Sequence, residues 1–542
     1  MTRSFECAEV EVPLCHKGVC ESDRMISIFI KRLLADPAKV ETSKAVWMLQ
    51  GGPGGSSAGM EMPMVHVQKQ LGDSVNMYTM DHRGTGRSFL LDCQAAQAFS
   101  SGGASGVNLD LREVPDCLRD ILFQIDNHTI AFSVTNAAHD VAFLINELNG
   151  DEDEVYLYGA SYGTYLSERV MHLAPEKING YILDGVVAED TPSFATMVAD
   201  RAEAAKLLAA YCQRNTACVN MFTYTKAKSV YEAWLAIFAD LDTTKPGVNA
   251  CADLFRSATA TVPNGSVSGA IKEKLAAFPS DLENRSKLPG IIHLIHRCKN
   301  ADDLKAVKMI LGLEPAQPAA AAAMTIGQAT VFDPISGMSP VLMSLIKTSE
   351  MWTFPTPTWE QATAAFLQGA LPSSVANEYA FYCLFNGDFT DPTCGSLKVF
   401  EAMVSPRFDF SRLQFTKFTY ERDEFYHKFA TIPDHASVLV LNGRLDFNTA
   451  PSWGVREYEN LQGGRGKMMV QMDYGTHCTG IQPTTTVDQT ACGVRLIASF
   501  VANSGDVEAV DTACMGQLPP MPLFTADQIV QFHVHGIKPG QP

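Results

Sequence analysis

Glu154-Val155-Tyr156-Leu157-Tyr158-Gly159-Ala160-Ser161-Tyr162-Gly163-Thr164 is the stretch on which the fold of this chain turns. Val155 to Tyr158 is a continuous apolar run of strand-forming residues, the pattern of a parallel strand covered on both faces. Gly-x-Ser-x-Gly follows at once. The next segment, Tyr162 to about His172, places Tyr162, Leu166 and Val170 on one helical face and Glu168 and Arg169 on a wetter one. A serine on a sharp strand-to-helix turn is held in strained backbone, so the residues two positions away must be small. Without the strand and the helix the pattern would be a Gly/Ser-rich turn with no chemistry. In this context it reads as a nucleophile elbow, with Ser161 as nucleophile.

Working upstream, Thr135 to Leu148 repeats Ala138, Val141, Ala142, Ile145 and Leu148 at helical spacing, and Gly150 ends the helix. Val75 to Met80 reads as a strand leading into Asp81-His82-Arg83-Gly84-Thr85-Gly86-Arg87-Ser88. Asp81 at a strand end could be a catalytic acid; a structural role, with Asp81, Arg83 and Arg87 pinning the glycine-rich turn, is favoured, and His82 is equally read as structural. Ala45 to Leu49 is a further buried strand, followed by Gln50-Gly51-Gly52-Pro53-Gly54-Gly55-Ser56-Ser57. Glycines here allow close backbone approach to a ligand, and such a loop can supply the second donor of an oxyanion hole. The rival reading, a phosphate loop, lacks the Gly-Lys-Ser/Thr ending, and Pro53 removes one N–H donor. The first 45 residues read as an opening hairpin (Ala8–Pro13 and Met25–Leu33), and residues 89–133 as a surface excursion.

Downstream, Ile178 to Leu183 gives another strand, ending in Asp184-Gly185-Val186. Strands and helices alternate through residues 45–186, which argues for a mostly parallel sheet with helices on both faces. The rhythm then changes. Residues 195–240 are helical, Pro315 to Met324 is an Ala/Pro-biased link, Trp352 to Pro357 is a stiff connector, and residues 376–430 are rich in aromatics. Those aromatics are either the core of an inserted cap or the wall of a substrate pocket. The sheet resumes at Ser437–Leu441 and Lys467–Met472, and Val487 to Val501 is a closing helix. The expected division is residues 1–190 as the first part of the core, 191–430 as an inserted, mainly helical cap, and 431–542 as the second part of the core.

Asp446 lies a few residues past one of these strands and Tyr474-Gly475-Thr476-His477 directly follows the other. Serine hydrolysis needs a nucleophile, a histidine to take its proton and a carboxylate to orient that histidine. Ser161, Asp446 and His477 occur in that order, each after a strand, and strand carboxyl ends share one edge of a parallel sheet. Asp473, on the same loop as His477, reads instead as a residue that shapes the turn. His533 and His535 lie in the tail with no clear strand before them. The expected oxyanion donors are the backbone N–H groups of Tyr162 and Gly52. Cys478 is expected in a disulfide and not in catalysis.

Among 542 residues, 42 Lys and Arg against 60 Asp and Glu give a net charge of −18, which disfavours nucleic acid and anionic membranes as partners. No apolar run is long enough to span a bilayer. The 14 cysteines are dispersed, with close pairs Cys15/Cys20, Cys212/Cys218 and Cys383/Cys394 and no Cys-x-x-Cys. Disulfides explain that count better than metal or free thiols, and sequons at Asn127, Asn264 and Asn284 agree with a secretory route. The polar N-terminus has no apolar signal segment, so the expectation is a secreted glycoprotein with its signal removed or mis-assigned, the cytosol being the alternative. No metal or organic cofactor is implied.

Gly51-Gly52-Pro53-Gly54-Gly55, Asp81-His82-Arg83-Gly84-Thr85-Gly86-Arg87-Ser88 and Gly159-Ala160-Ser161-Tyr162-Gly163-Thr164, with Leu183-Asp184-Gly185, together resemble the prolyl-iminopeptidase and tripeptidyl-aminopeptidase group of α/β hydrolases. The opening Cys7-Ala8-Glu9-Val10-Glu11-Val12-Pro13-Leu14, and Cys492, Cys514 and Pro519–Pro522 at the other end, look like the tripeptidyl-aminopeptidase branch. The resemblance covers the core and both ends and is weaker in the cap. It implies an α/β-hydrolase fold and a serine exopeptidase acting on peptides with a free N-terminus, often secreted. Gln50 departs from the pattern, standing where the iminopeptidases carry a histidine. Family members hold the substrate amine with cap acids; Glu378, Asp388 and Asp391 are candidates here. An esterase on the same scaffold is the alternative, and a catalytically dead binding protein is disfavoured by the intact set of three residues.

Overall fold

The computed structural model of the chain describes residues 4–40, 43–93, 113–190, 193–256, 265–276, 278–280, 282–313, 338–372, 376–395, 415–482, 486–487 and 490–537. The Pro315–Met324 link, the Asn264 sequon and Phe400 lie outside the described residues. Eight strands make one sheet: β1 (Glu6–Pro13), β2 (Met25–Leu33), β3 (Lys44–Leu49), β4 (Asn76–Met80), β5 (Glu154–Ala160), β6 (Ile178–Asp184), β7 (Ser437–Gly443) and β8 (Gly466–Met472). Their spatial order is β1-β2-β4-β3-β5-β6-β7-β8. β1 pairs antiparallel with β2 and β2 with β4; every other pairing is parallel. The chain runs outward from β3 to β4 on one side and from β5 to β6 on the other. The crevice at the carboxyl ends of β3 and β5 is therefore the topological switch point where open α/β sheets bind ligands.

Six helices matter for the site: α1 (Glu61–Gln70), α2 (Val134–Leu148), α3 (Tyr162–Leu173), α4 (Pro451–Asn460), α5 (Cys492–Ala502) and α6 (Ala526–His535). Successive strand residues point to opposite faces. Trp47, Leu49, Val155 and Leu157 accordingly join α2 and α3 in one core, whereas Val46, Met48, Tyr156 and Tyr158 join α1 and α5 in another. This is the α/β-hydrolase architecture, a mostly parallel sheet with helices on both faces and a helical insert. The closing helix begins at Cys492 and not at Val487, because Thr486–Val487 and Thr490–Ala491 pair as a short antiparallel ladder.

Between β6 and β7 the described chain is mainly helical. Its first stretch, from Met197 to Leu311, has a separate apolar core that also takes in Ile529 and Val530 of α6 and Leu445 and Phe447 from the loop after β7. The tail helix thus packs on the insert. The later stretch shares the core on the α2–α3 face of the sheet. There Trp352 stacks on Tyr382 with ring centroids 4.3 Å apart, and Phe385 meets Phe418 edge to face. Tyr379, Tyr382 and Phe385 are fully buried, so of the two roles open to the aromatics these serve as core.

Six disulfides form: Cys15–Cys20, Cys93–Cys117, Cys212–Cys218, Cys251–Cys298, Cys383–Cys394 and Cys492–Cys514. Cys7 is an exposed thiol. Cys478 is a buried free thiol, against the expectation of a disulfide there, because no second unpaired cysteine lies beside it. Among the described residues no helix is long and apolar enough to cross a membrane. Asn127 is exposed at a turn, whereas Asn284 sits half-buried on a helix.

Candidate active site

β5 ends at Ala160 and α3 begins at Tyr162, leaving Ser161 alone between them with φ +56° and ψ −124°. That left-handed backbone is costly for a residue with a side chain and lifts the serine out of both elements. The turn closes because Gly159 has no Cβ: one built there would lie 2.2 Å from the Gly163 carbonyl oxygen. The glycine loop after β3 presses on the same turn, and a Cβ on Gly51 would lie 2.7 Å from Ser161 Cβ. Gln50 holds this loop locally, its Oε1 accepting the Gly51 N–H at 2.8 Å while its carbonyl lies 2.9 Å from His82 Nε2.

His477 follows β8. Its Nδ1 lies 2.8 Å from Asp446 Oδ2, which leaves Nε2 as the free ring nitrogen. Asp446 is fully buried and every lone-pair direction is used. Oδ1 accepts the N–H groups of Asn448 and Thr449 at 2.8 and 2.9 Å, and Oδ2 accepts the Thr449 hydroxyl at 2.7 Å. Burial by itself would raise the Asp446 pKa, but the charge of His477 and the hydrogen bonds from His477 and Thr449 together outweigh it and the carboxyl stays below its usual range. The converse holds for His477: burial disfavours its charge, and the Asp446 carboxylate overrides this and raises it well above an ordinary histidine. Two buried arginines from the insert grip these loops. Arg201 Nε donates to the Phe447 carbonyl at 2.5 Å, and Arg285 donates to the carbonyls of Leu445 and Tyr474 at 3.3 and 3.1 Å.

Ser161, Tyr162, Gly51, Gly52, Thr449 and His477 line one cavity of about 460 Å³, with Met60, Val187, Phe194, Met351, Trp453 and Ile481 as its apolar wall. The three residues singled out in sequence therefore converge on one site, together with both expected donors. No hydrogen bond joins the Ser161 hydroxyl to His477. Asp473 faces solvent and pairs with Arg444 at 2.9 Å. His533 and His535 close α6, away from the cavity lining. Asp81 accepts the N–H groups of Ser57 and Arg87 at 2.6 and 2.8 Å, which makes it a brace for the turn. Arg83 forms a buried pair with Asp140 at 2.6 Å. Of the cap acids, Glu378 pairs with Lys347, Asp388 accepts from Thr390 and Asp391 from Tyr382, and none of the three lines the cavity. Thr449, Arg201 and Arg285 carry no signal in the sequence, since isolated polar residues become legible only once the loops they hold are known.

Among the described residues one set of carboxylates has cation-ligand spacing. Oxygens of Glu168 on α3, Glu189 after β6 and Glu457 on α4 lie within 4.8 Å of one another, all buried. Glu189 is engaged by His172 and by the Ala430 N–H, whereas both Glu168 oxygens lack a hydrogen-bond partner. Burial first, and then the neighbouring carboxylates, push Glu168 and Glu457 well above the usual range. A raised carboxyl pKa stabilises the fold fully below about pH 4.5, the unfolded value, and that contribution is lost as pH rises through the folded value. Glu168→Gln removes this loss and gives the cluster a neutral N–H donor. It should stabilise the protein at pH 8.5 by about 1–3 kcal/mol and much less at pH 5. Thermal melts at the two pH values check this, and an unchanged gap between variant and wild type would refute it.

No protein-family model matches the chain, and a search of curated proteins finds no match. Solved structures do match. An esterase from Thermogutta terrifontis is 12% identical, with 92% of this chain and 99% of that one covered and a TM-score of 0.33. A proline iminopeptidase from Mycobacterium smegmatis is 10% identical, with 92% and 99% covered and a TM-score of 0.30. An epoxide hydrolase from Vigna radiata is 12% identical, with 92% and 97% covered and a TM-score of 0.30. Likenesses this distant do not discriminate among amide, ester and epoxide substrates.

Proposed function

We propose that this protein is a serine hydrolase of the aminopeptidase or tripeptidyl-aminopeptidase type, cleaving peptides near a free N-terminus. The observation that carries the reading is a serine at φ +56° sharing a cavity with a histidine whose Nδ1 is bonded to a buried carboxylate. Ser161 attacks the scissile carbonyl, His477 Nε2 takes the serine proton and returns it to the leaving amine, and Asp446 holds the imidazole tautomer and stabilises its charged form. The N–H groups of Tyr162 and Gly52 face the oxyanion, each donor contributing about 10²–10³ in turnover. Water then hydrolyses the acyl-enzyme by the reverse proton transfers. The six disulfides fit an extracellular setting.

A second cavity of about 300 Å³ shares Trp453 with the first as a lining residue and carries Asp200, together with Asp190 paired to Arg456. Burial, with Glu203 nearby, pushes Asp200 up to about 6. An ammonium group there would favour its ionised form, which suits a substrate with a free N-terminus. The apolar wall of the main cavity favours one competing reading, hydrolysis of short acyl esters. A panel of aminoacyl and tripeptidyl amides, their N-blocked counterparts and short-chain esters separates the two. Free-amine amides should turn over at least about tenfold faster in kcat/KM than N-blocked ones, about 1.4 kcal/mol of discrimination. Turnover of esters and N-blocked peptides alone would refute the exopeptidase reading.

A further inference from the structure

Asp184 closes β6 beneath the site, and no step of the reaction uses it. It touches both halves of the machinery. Its backbone carbonyl accepts the N–H of Ser161 at 2.9 Å, on the nucleophile elbow. Its Oδ2 accepts the N–H of Gly480 at 2.9 Å and the hydroxyl of Tyr158 at 2.6 Å. Gly480 belongs to the loop that carries His477, and Tyr158 to β5, which leads into Ser161. The Cys478 thiol also reaches the Asp184 carbonyl at 3.6 Å. The next residue, Gly185, lies directly under the imidazole, where a Cβ would stand 3.0 Å from His477 Nδ1.

The histidine loop needs such an anchor. Cys478 has φ +53°, a left-handed conformation that costs about 1–2 kcal/mol for a residue with a side chain. Strain of this size persists only where neighbouring contacts over-determine the backbone. A carboxylate accepting a backbone N–H makes a stronger bond than a neutral acceptor does. We propose that Asp184 is a positioning residue for hydrolysis at Ser161, fixing the histidine loop against the nucleophile elbow through its carboxylate and its carbonyl. The proposal rests on the reading of Ser161 as nucleophile and His477 as base.

Burial pushes the Asp184 carboxyl up to about 7, with the Tyr158 hydroxyl and the Gly480 N–H opposing. The titratable groups facing it are Tyr158 from β5, His477 and Cys478 from the loop, and Asp446 beyond the histidine. A negative Asp184 favours the imidazolium form of His477. Neutralising it should move the acid limb of activity to lower pH.

The test uses the full chain and a fluorophosphonate, whose second-order labelling constant reports Ser161 reactivity without knowledge of the natural substrate. Asp184→Ala should lower that constant, and kcat for p-nitrophenyl butyrate per labelled site, by about 10²-fold, with KM little changed. Asp184→Asn keeps one acceptor oxygen and should lose about tenfold or less, with its acid limb shifted down. Tyr158→Phe removes one of the two donors and should lose least. A folded Asp184→Ala that labels at the wild-type rate overturns the proposal. Should that variant not fold, Asp184→Asn and Tyr158→Phe both labelling at the wild-type rate with an unmoved acid limb overturn it equally. Wild-type protein that is not labelled, or label that persists in Ser161→Ala, refutes the reading of the site itself, a failure distinct from normal labelling in the Asp184 variants.

Discussion

Ser161→Ala is expected to abolish fluorophosphonate labelling and to lower turnover by about 10⁴-fold or more, with the fold unchanged. The substitution removes only Oγ, and among the described residues no hydrogen bond depends on that atom. The strained φ of +56° is as costly for alanine as for serine, so the elbow loses nothing it had. Stability should accordingly stay within about 0.5 kcal/mol of wild type. Labelling read by intact-protein mass, beside a thermal melt, checks both halves. Retained turnover in a folded, unlabelled variant would mean that a different residue attacks.

Asp446→Asn should cost on the order of 10⁴-fold in turnover while preserving the shape of the site. The reason lies in the crowded partners of the carboxylate. Oδ1 faces two N–H donors, from Asn448 and Thr449, so the amide oxygen of an asparagine must sit there. Its NH₂ group then faces Nδ1 of His477, which can accept but no longer donate. The proton moves to Nε2, the nitrogen that has to take the serine proton, and the base is lost. The carboxylate also raises the His477 pKa against the opposing effect of burial. Without it the imidazolium gives up its proton at lower pH, and the acid limb of any residual kcat/KM should move down. A residual rate within tenfold of wild type, or an unmoved acid limb, would exclude Asp446 as the orienting group.

Much of this site is legible in local sequence. Ser161 can be placed because its turn is specified within a dozen residues: an apolar strand, two glycines whose missing Cβ atoms let the turn close, and an amphipathic helix. The strand order that brings Asp446 and His477 to the same sheet edge follows from the alternation of strands and helices. The cap is less legible. Glu378, Asp388 and Asp391 are plausible amine ligands by residue type, yet each is taken up by a nearby lysine, threonine or tyrosine. Asp200, in the cavity that shares Trp453 with that of Ser161, has no flanking pattern that marks it out. Helical periodicity reports which face is buried, not what that face is buried against.

The amino-acid sequence by itself specified the sheet, the strand-to-helix turn and the serine that stands on it, because those depend on sterics and periodicity over short spans. Tertiary structure alone decided that Cys478 stays a free thiol with its Sγ toward the Asp184 carbonyl, that Arg201 and Arg285 grip the loops of Asp446 and His477, and that Asp184 ties the elbow to the histidine loop. Each of those outcomes sets the direction of a side chain against a partner tens to hundreds of residues away. Strand register and loop backbone fix that direction, and no local pattern encodes it.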